Sequence, residues 1–311
     1  MDNHERYLVV VNPNAGGRKA EKDWPRIESI LQKQDFEFDI VITKYRHHAM
    51  SLVADKISKE DYRNIIVVGG DGTVNEVVNG IFTQKKVPTK DIRMAVVMVG
   101  TGNDWGKMFN IPNDYTEAIA LIAAEKTFIQ DVGHVSYYLG KEEKTRYFIN
   151  AAGLGFDALV TETTNKNKDV GKSSTLSYFK SLLGSLFRYK PVDVKVHIDN
   201  REILDGKLFT LSLGIGQYTG GGMKQNPDAV PDDGLFDLML VDKIAKTKLI
   251  RNINKLYDGS IKDIKEVQSY RLGSMKVESD HKLMLEVDGE SLGHAPFTFG
   301  IIPESLQVII R

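Results

Sequence analysis

Between Tyr7 and Val132 the chain alternates short, β-branched apolar runs with helical stretches. Strands that are apolar at nearly every position are buried on both faces, which fits an open parallel sheet with helices packed on either side. Tyr7–Val11, Asp39–Thr43, Asn64–Val68 and Met94–Val99 are the predicted strands. Trp24–Gln34, His48–Ser58, Thr73–Phe82 and Tyr115–Ala124 are the predicted helices. Gly or Pro closely follows three of the strands, and doubly wound sheets bind ligands at strand carboxyl ends.

After Val132 the period changes to two. Val192, Val194, Val196 and Ile198 fall on one face, with Asp193, Lys195 and His197 on the other. Asp199-Asn200 offers a turn, and further strands are predicted at Leu208–Leu213, Leu235–Val241, Lys282–Val287, Phe297–Ile301 and Leu306–Ile310. This half is read as mostly antiparallel. Polar residues from Thr161 to Ser174 read as a mobile loop leading to a helix over Leu176–Arg188. A chain of 311 residues exceeds one usual core, so two domains are expected, divided at 131/132, with the last strand able to return to the first.

Composition excludes several function classes. Net charge is -1, without the basic excess that phosphate-backbone binding requires, so no nucleic-acid partner is expected. There is no cysteine, which removes disulfides, thiolate metal sites and a cysteine nucleophile and makes the cytoplasm the default compartment. The longest apolar runs fall far short of the ~20 residues of a membrane span. A lipid would have to be reached from outside the bilayer.

Val67-Val68-Gly69-Gly70-Asp71-Gly72-Thr73 joins a strand to a helix. Its glycines allow close backbone approach, and the helix N-terminus points amides at an anion such as phosphate. An aspartate beside a phosphate repels it unless a cation lies between them, and Mg²⁺ is the natural bridge. A Gly-Asp-Gly tight turn without ligand is the alternative. Asn12-Pro13-Asn14-Ala15-Gly16-Gly17 and Gly100-Thr101-Gly102-Asn103-Asp104 follow the first and fourth strands, so three glycine-bearing turns should meet at one sheet edge. Gly171-Lys172-Ser173 mimics the end of a P-loop, but Lys166 stands where its first glycine should be. Gly153-Leu154-Gly155-Phe156-Asp157-Ala158 has dinucleotide-fingerprint spacing, yet β-rich sequence follows and no βαβ unit is expected.

Taken in order, these blocks resemble the bacterial diacylglycerol kinase family of lipid kinases, related to sphingosine and ceramide kinases. Asp131-Val132-Gly133, Asn150–Ala158, Tyr218–Asp237 and Asp288-Gly289-Glu290 complete the match. Gly-Gly-Asp-Gly-Thr alone is shared with phosphofructokinases and NAD kinases, so the later blocks carry the specificity. The resemblance implies a phosphofructokinase-like doubly wound α/β domain over residues 1–131 and an antiparallel β-sandwich over 132–311, with ATP in the cleft between them. It implies ATP and Mg²⁺ as cofactors and transfer of the γ-phosphoryl group to a lipid hydroxyl, first of all diacylglycerol. By the same carry-over Asn12, Thr43, Gly69, Gly70, Asp71, Gly72, Thr73 and Thr101 contact nucleotide, with Asn75, Asn103 and Asp104 in the same set. Asp71, Asp104 and Asp131 match acidic positions of a polar network. Asp233, with the carbonyls of Val230 and Leu235, matches a metal loop. The resemblance implies Glu290 as the proton acceptor, with Asp288 its rival. Trp105-Gly106 departs from the family's usual Phe-Ala.

Leu176, Phe179, Leu182, Leu183, Leu186 and Phe187 recur at helical spacing flanked by Lys180, Arg188 and Lys190. Such a helix packs on the sandwich, lines an acyl pocket, or lies on an anionic membrane, which would make the protein peripheral at the inner membrane surface. His47-His48 read as surface or capping residues, Trp24, Tyr137 and Tyr138 as packing residues, and Gly220-Gly221-Gly222 as a hinge or a close approach to the metal loop. The family also suggests a homodimer. An NAD kinase and a catalytically inactive nucleotide- or lipid-binding protein are the competing readings.

Overall fold

The computed structural model describes residues 5–169 and 184–310. They form two compact units, one of residues up to Val132 together with Pro303 onward, the other Gly133–Ile302.

In the first unit, β1 (Tyr7–Val11), β2 (Phe38–Ile42), β3 (Asn64–Gly69) and β4 (Arg93–Met98) pair in parallel in the order β2-β1-β3-β4. Gln307 and Val308 then pair in parallel with Arg93 and Met94. Every residue of β1 and β3 is buried, as the unbroken Val/Ile runs require. Ala20, Ile27 and Leu31 of α1 (Ala15–Lys33) and Ile119 and Ile122 of α5 (Tyr115–Ala123) join one core. Between them in the chain come α2 (His48–Glu60), α3 (Asp71–Thr83) and α4 (Asp104–Met108). The stripe Ala49, Val53, Ile57 of α2 is buried, and α3 approaches so closely that a Cβ on Gly80 would lie 2.7 Å from the Met50 carbonyl oxygen. Glu76 of α3 caps α2, accepting from the amides of His47 at 2.8 Å and Ala49 at 3.0 Å. That contact had no sequence signature.

The second unit is a sandwich. One sheet runs β12-β11-β10-β7-β14-β15, antiparallel throughout: Gln268–Leu272, Phe236–Val241, Thr210–Gly214, Ala151–Gly155, Leu285–Val287 and Glu290–Ser291. The other includes β5 (Thr127–Leu139), β6 (Glu142–Phe148), β8 (Val192–Ile198), β9 (Arg201–Leu208), β13 (Ser274–Glu278) and β16 (His294–Ile309). Inward side chains of both sheets share a core that includes Val194, Val196, Leu211, Leu213, Phe297 and Phe299. Phe148 stacks on Phe236 with ring centroids 5.7 Å apart. Asp199 and Asn200 both adopt positive φ, 45° and 67°, in the two-residue turn of the β8–β9 hairpin.

Several readings need correction. Thr161–Asp169 is not loop but the end of α6 (Phe156–Asp169), whose apolar first turn anchors a polar helix. A helix therefore does follow Gly153–Gly155, but β7 pairs antiparallel with both neighbours, so no βαβ unit forms. Leu208–Leu213 is two strands broken at Phe209, and Phe297–Ile301 with Leu306–Ile310 is one continuous strand across a proline. The glycine run is a tight turn, closed by the amide of Met223 donating to the Thr219 carbonyl at 2.8 Å. The P-loop look-alike and residues 176–183 of the amphipathic stretch lie outside the described residues. Residues 184–188 are helical; Leu186 is buried with Phe156, Tyr189 and Phe209, whereas Phe187 is 68% exposed.

Candidate active site

Three loops leave the carboxyl ends of β1, β3 and β4, and their glycines bring them together. A Cβ on Gly16 would lie 2.4 Å from the Val99 carbonyl oxygen, and one on Gly70 would lie 3.0 Å from the Gly100 Cα. Backbone meets backbone at both places, which only glycine permits. Asn12 Nδ2 donates to Thr73 Oγ1 at 2.9 Å, fastening the β1 loop to the start of α3. Thr43, at the end of β2, donates its amide to Val11 at 2.9 Å. Asn103, left-handed at φ 52°, accepts from the Gly100 amide at 3.1 Å. Gly100, Thr101, Gly102, Asn103 and Lys107 help line a hollow of about 280 Å³. Asn75 is fully buried in α3 and accepts from Asn79 Nδ2 at 3.2 Å.

Asp71 opens α3, where its charge suits the helix dipole. Its carboxylate also accepts from the amides of Asp104 at 3.2 Å and Trp105 at 3.3 Å, capping α4. Asp104 is buried and pairs with Lys107 Nζ at 3.1 Å. A Cβ on Gly102 would stand 3.1 Å from Asp71 Oδ2 and 3.4 Å from Asp104 Oδ2. Two carboxylates thus converge on a place left open by a glycine, a hard-oxygen donor pair that fits a divalent cation arriving with a polyphosphate. Trp105 is buried and donates Nε1 to Gln130 at 3.0 Å, while Met98 fills the space over Gly106. The large-small exchange at 105 and 106 is thereby packed. Asp131, fully buried, accepts from the Glu304 amide at 2.8 Å.

In the second unit, Asp288 (φ 46°) and Gly289 (φ 83°) form the turn between β14 and β15. Asp288 accepts from the amides of Ile149, Asn150 and Ala151 at 3.1, 3.1 and 3.0 Å. Glu290, half-buried, follows the turn opposite Val287. Sequence reasoning missed Asp157 and Glu286. Asp157 lies on the wall of an apolar cavity formed by side chains including Phe156, Phe209, Met239, Leu249, Ile253 and Leu256. Burial pushes its carboxyl up to about 6, and burial together with the Asp157 charge holds Glu286 well above the ordinary carboxylate range. An acid at the first turn of a helix after a glycine-rich strand was the one available signal.

A raised acid disfavours the folded state once it ionises: the folded chain binds the extra proton, so stability falls as pH rises through about 6. Asp157→Asn is expected to raise Tm by about 3 °C at pH 8, the gain fading as pH drops to about 4, as melting curves over that range would read. An unchanged Tm at pH 8 would contradict the buried charge.

The loop predicted to hold metal carries its own cation. Asp233 Oδ1 accepts from the Leu235 amide at 3.0 Å and Oδ2 pairs with Arg271, whose Nε is 3.7 Å from Asp237. Val230 is 41% exposed beside it. Both Asp233 oxygens are thus engaged, one by a backbone amide and one by a guanidinium.

A family model described as a diacylglycerol kinase catalytic domain matches residues 6–135, and one described as a YegS C-terminal NAD kinase beta sandwich-like domain matches residues 150–310. The chain belongs to the diacylglycerol kinase family. It is a lipid kinase with the two-part build that family has. The diacylglycerol kinase of Staphylococcus aureus strain MRSA252 is 30% identical over 296 residues, covering 95% of this chain and 89% of that protein. That of Staphylococcus haemolyticus is 29% identical over 301 residues, covering 96% and 86%. A candidate diacylglycerol kinase from Bacillus anthracis superposes with TM-score 0.79 at 26% identity over 100% of this chain and 97% of that one. An Archaeoglobus fulgidus NAD kinase solved with ATP shares the fold at TM-score 0.52 and 13% identity, covering 97% and 93%.

Proposed function

We propose that this lipid kinase transfers the γ-phosphoryl group of Mg²⁺-ATP to the hydroxyl of diacylglycerol. The carrying observation is the apolar cavity on the sandwich, whose wall is aliphatic and aromatic except for a few polar groups such as Asp157, Thr210, Ser212 and Gln225. A cavity of that kind suits an acyl chain and not a nicotinamide dinucleotide, which favours the lipid over the NAD kinase reading. The loops around Gly16, Gly70 and Gly100 would cradle the phosphates with backbone amides, and Asp71 and Asp104 would hold the accompanying Mg²⁺, which neutralises phosphate charge. Glu290 would take the hydroxyl proton, since Asp288 already spends its carboxylate on three amides.

The test is incubation with labelled ATP and Mg²⁺ against diacylglycerol, ceramide, a sphingoid base, a polyprenol and NAD. Label on diacylglycerol above the others is expected; label on NAD alone, or on nothing, would refute the reading. Exposed Phe187 is proposed to touch the membrane. Phe187→Glu is therefore expected to lower turnover on anionic vesicles about tenfold while sparing a short-chain soluble diacylglycerol, and equal losses on both would remove that role.

A further inference from the structure

We propose that Glu286 is a positioning residue for phosphoryl transfer: paired with Asp157, it holds the Asp288-Gly289-Glu290 turn in its working position, and only while the pair keeps a proton. The inference rests on the reading of Glu290 as proton acceptor.

Glu286 lies in the middle of β14 and is 5% exposed. Its Oε2 accepts from the Gly289 amide at 3.0 Å. Its other oxygen turns toward Asp157: the Cβ that Gly153 lacks would lie 2.9 Å from Glu286 Oε1 and 2.5 Å from Asp157 Oδ2. Glycine at 153 is therefore what leaves room for both carboxyls beside β7. The helix bearing Asp157 holds the same turn as well, because Asn165 Nδ2 donates to the Gly289 carbonyl at 2.8 Å. Both partners of the acid pair thus sit on elements that hold Gly289.

Among the described residues, the charges that raise Glu286 are negative: Asp157 from α6, Asp288 from the turn and Glu290 from β15. β7, paired with β14, carries no titratable side chain, and Gln225 offers Asp157 one amide at 3.3 Å. Two ionised carboxylates cannot share that place, so a proton stays with the pair. A purely structural task would be better served by glutamine at 286. Its amide oxygen would accept from Gly289 and its amide nitrogen would donate to Asp157, with no like-charge repulsion. An acid where an amide is cheaper points to a task that depends on charge. When Glu286 ionises beside Asp157, repulsion separates β14 from α6 at the point where both hold the turn.

The test follows kcat against pH for the full chain with diacylglycerol in mixed micelles. Wild type is expected to lose turnover on the alkaline side. Glu286→Ala should lower kcat about tenfold or more at every pH, with KM for ATP changed by less than about twofold. Glu286→Gln, which keeps the hydrogen bond from Gly289 and cannot ionise, should recover most of that loss and move the alkaline limb up by about one pH unit or more. A Glu286→Gln profile superimposed on wild type overturns the proposal, as does full turnover in Glu286→Ala. Should the alanine variant not fold, the glutamine profile decides by itself. Wild type that labels no lipid would instead sink the substrate reading, and undiminished turnover in Glu290→Gln would sink the base assignment, so the failures are separable.

Discussion

Asp71→Ala is expected to lower kcat/KM by at least about 100-fold, a usual cost of losing a group that holds charge at a phosphoryl-transfer site. Two effects add. The carboxylate that converges with Asp104 over Gly102 disappears, and with it half of the donor pair proposed for the cation. The amides of Asp104 and Trp105 also lose their acceptor, so the α4 N-terminus loses its cap, worth about 1 kcal/mol. Asp71→Asn separates the two, because its amide oxygen can still accept from one of these amides but carries no charge. Its expected turnover is as low as that of the alanine variant, with a Tm nearer wild type. Steady-state rates paired with melting curves read both, and a clean Asp71→Asn enzyme of wild-type rate would remove the residue from the mechanism.

Glu290→Gln is expected to cut kcat at least about 100-fold, with Tm and ATP affinity close to wild type, since it removes the proposed proton acceptor and keeps the shape. Asp288→Ala is expected to fail differently. It strands three backbone amides at 149–151, and losing hydrogen bonds to a charged acceptor should cost about 3 kcal/mol of stability. Turnover and thermal unfolding of the two variants therefore distinguish the base from its support. A Glu290→Gln enzyme at wild-type rate beside a stable, inactive Asp288→Ala would reverse the assignment.

The parallel half was legible because burial on both faces leaves no polar position within a strand: Tyr7–Val11 reads the same from sequence and structure, and the neighbouring strands differ only at their ends. The sandwich was harder. The β5–β6 hairpin carries Tyr137, Tyr138, Lys141, Glu142, Glu143 and Lys144, which leave little apolar alternation to count. Helix α6 was mistaken for loop because residues 161–169 are polar and only its first turn buries apolar surface. In the site, glycines and aspartates announced themselves by type and spacing. Asp157 and Glu286 did not, because their meaning depends on Gly153 leaving a gap between residues more than a hundred positions apart. Likewise, nothing local in Asp233 foretells an arginine at 271.

The pairing of Gln307 and Val308 with β4 has a bearing on biosynthesis. The segment that pairs with Arg93 and Met94 leaves the ribosome only after the whole sandwich has been made. Until then the nascent α/β unit carries a bare, apolar strand edge, the kind of surface that recruits other chains. A fragment cut at the boundary after Val132 would keep that edge for good, which makes Gln307 and Val308 a late-arriving guard against aggregation.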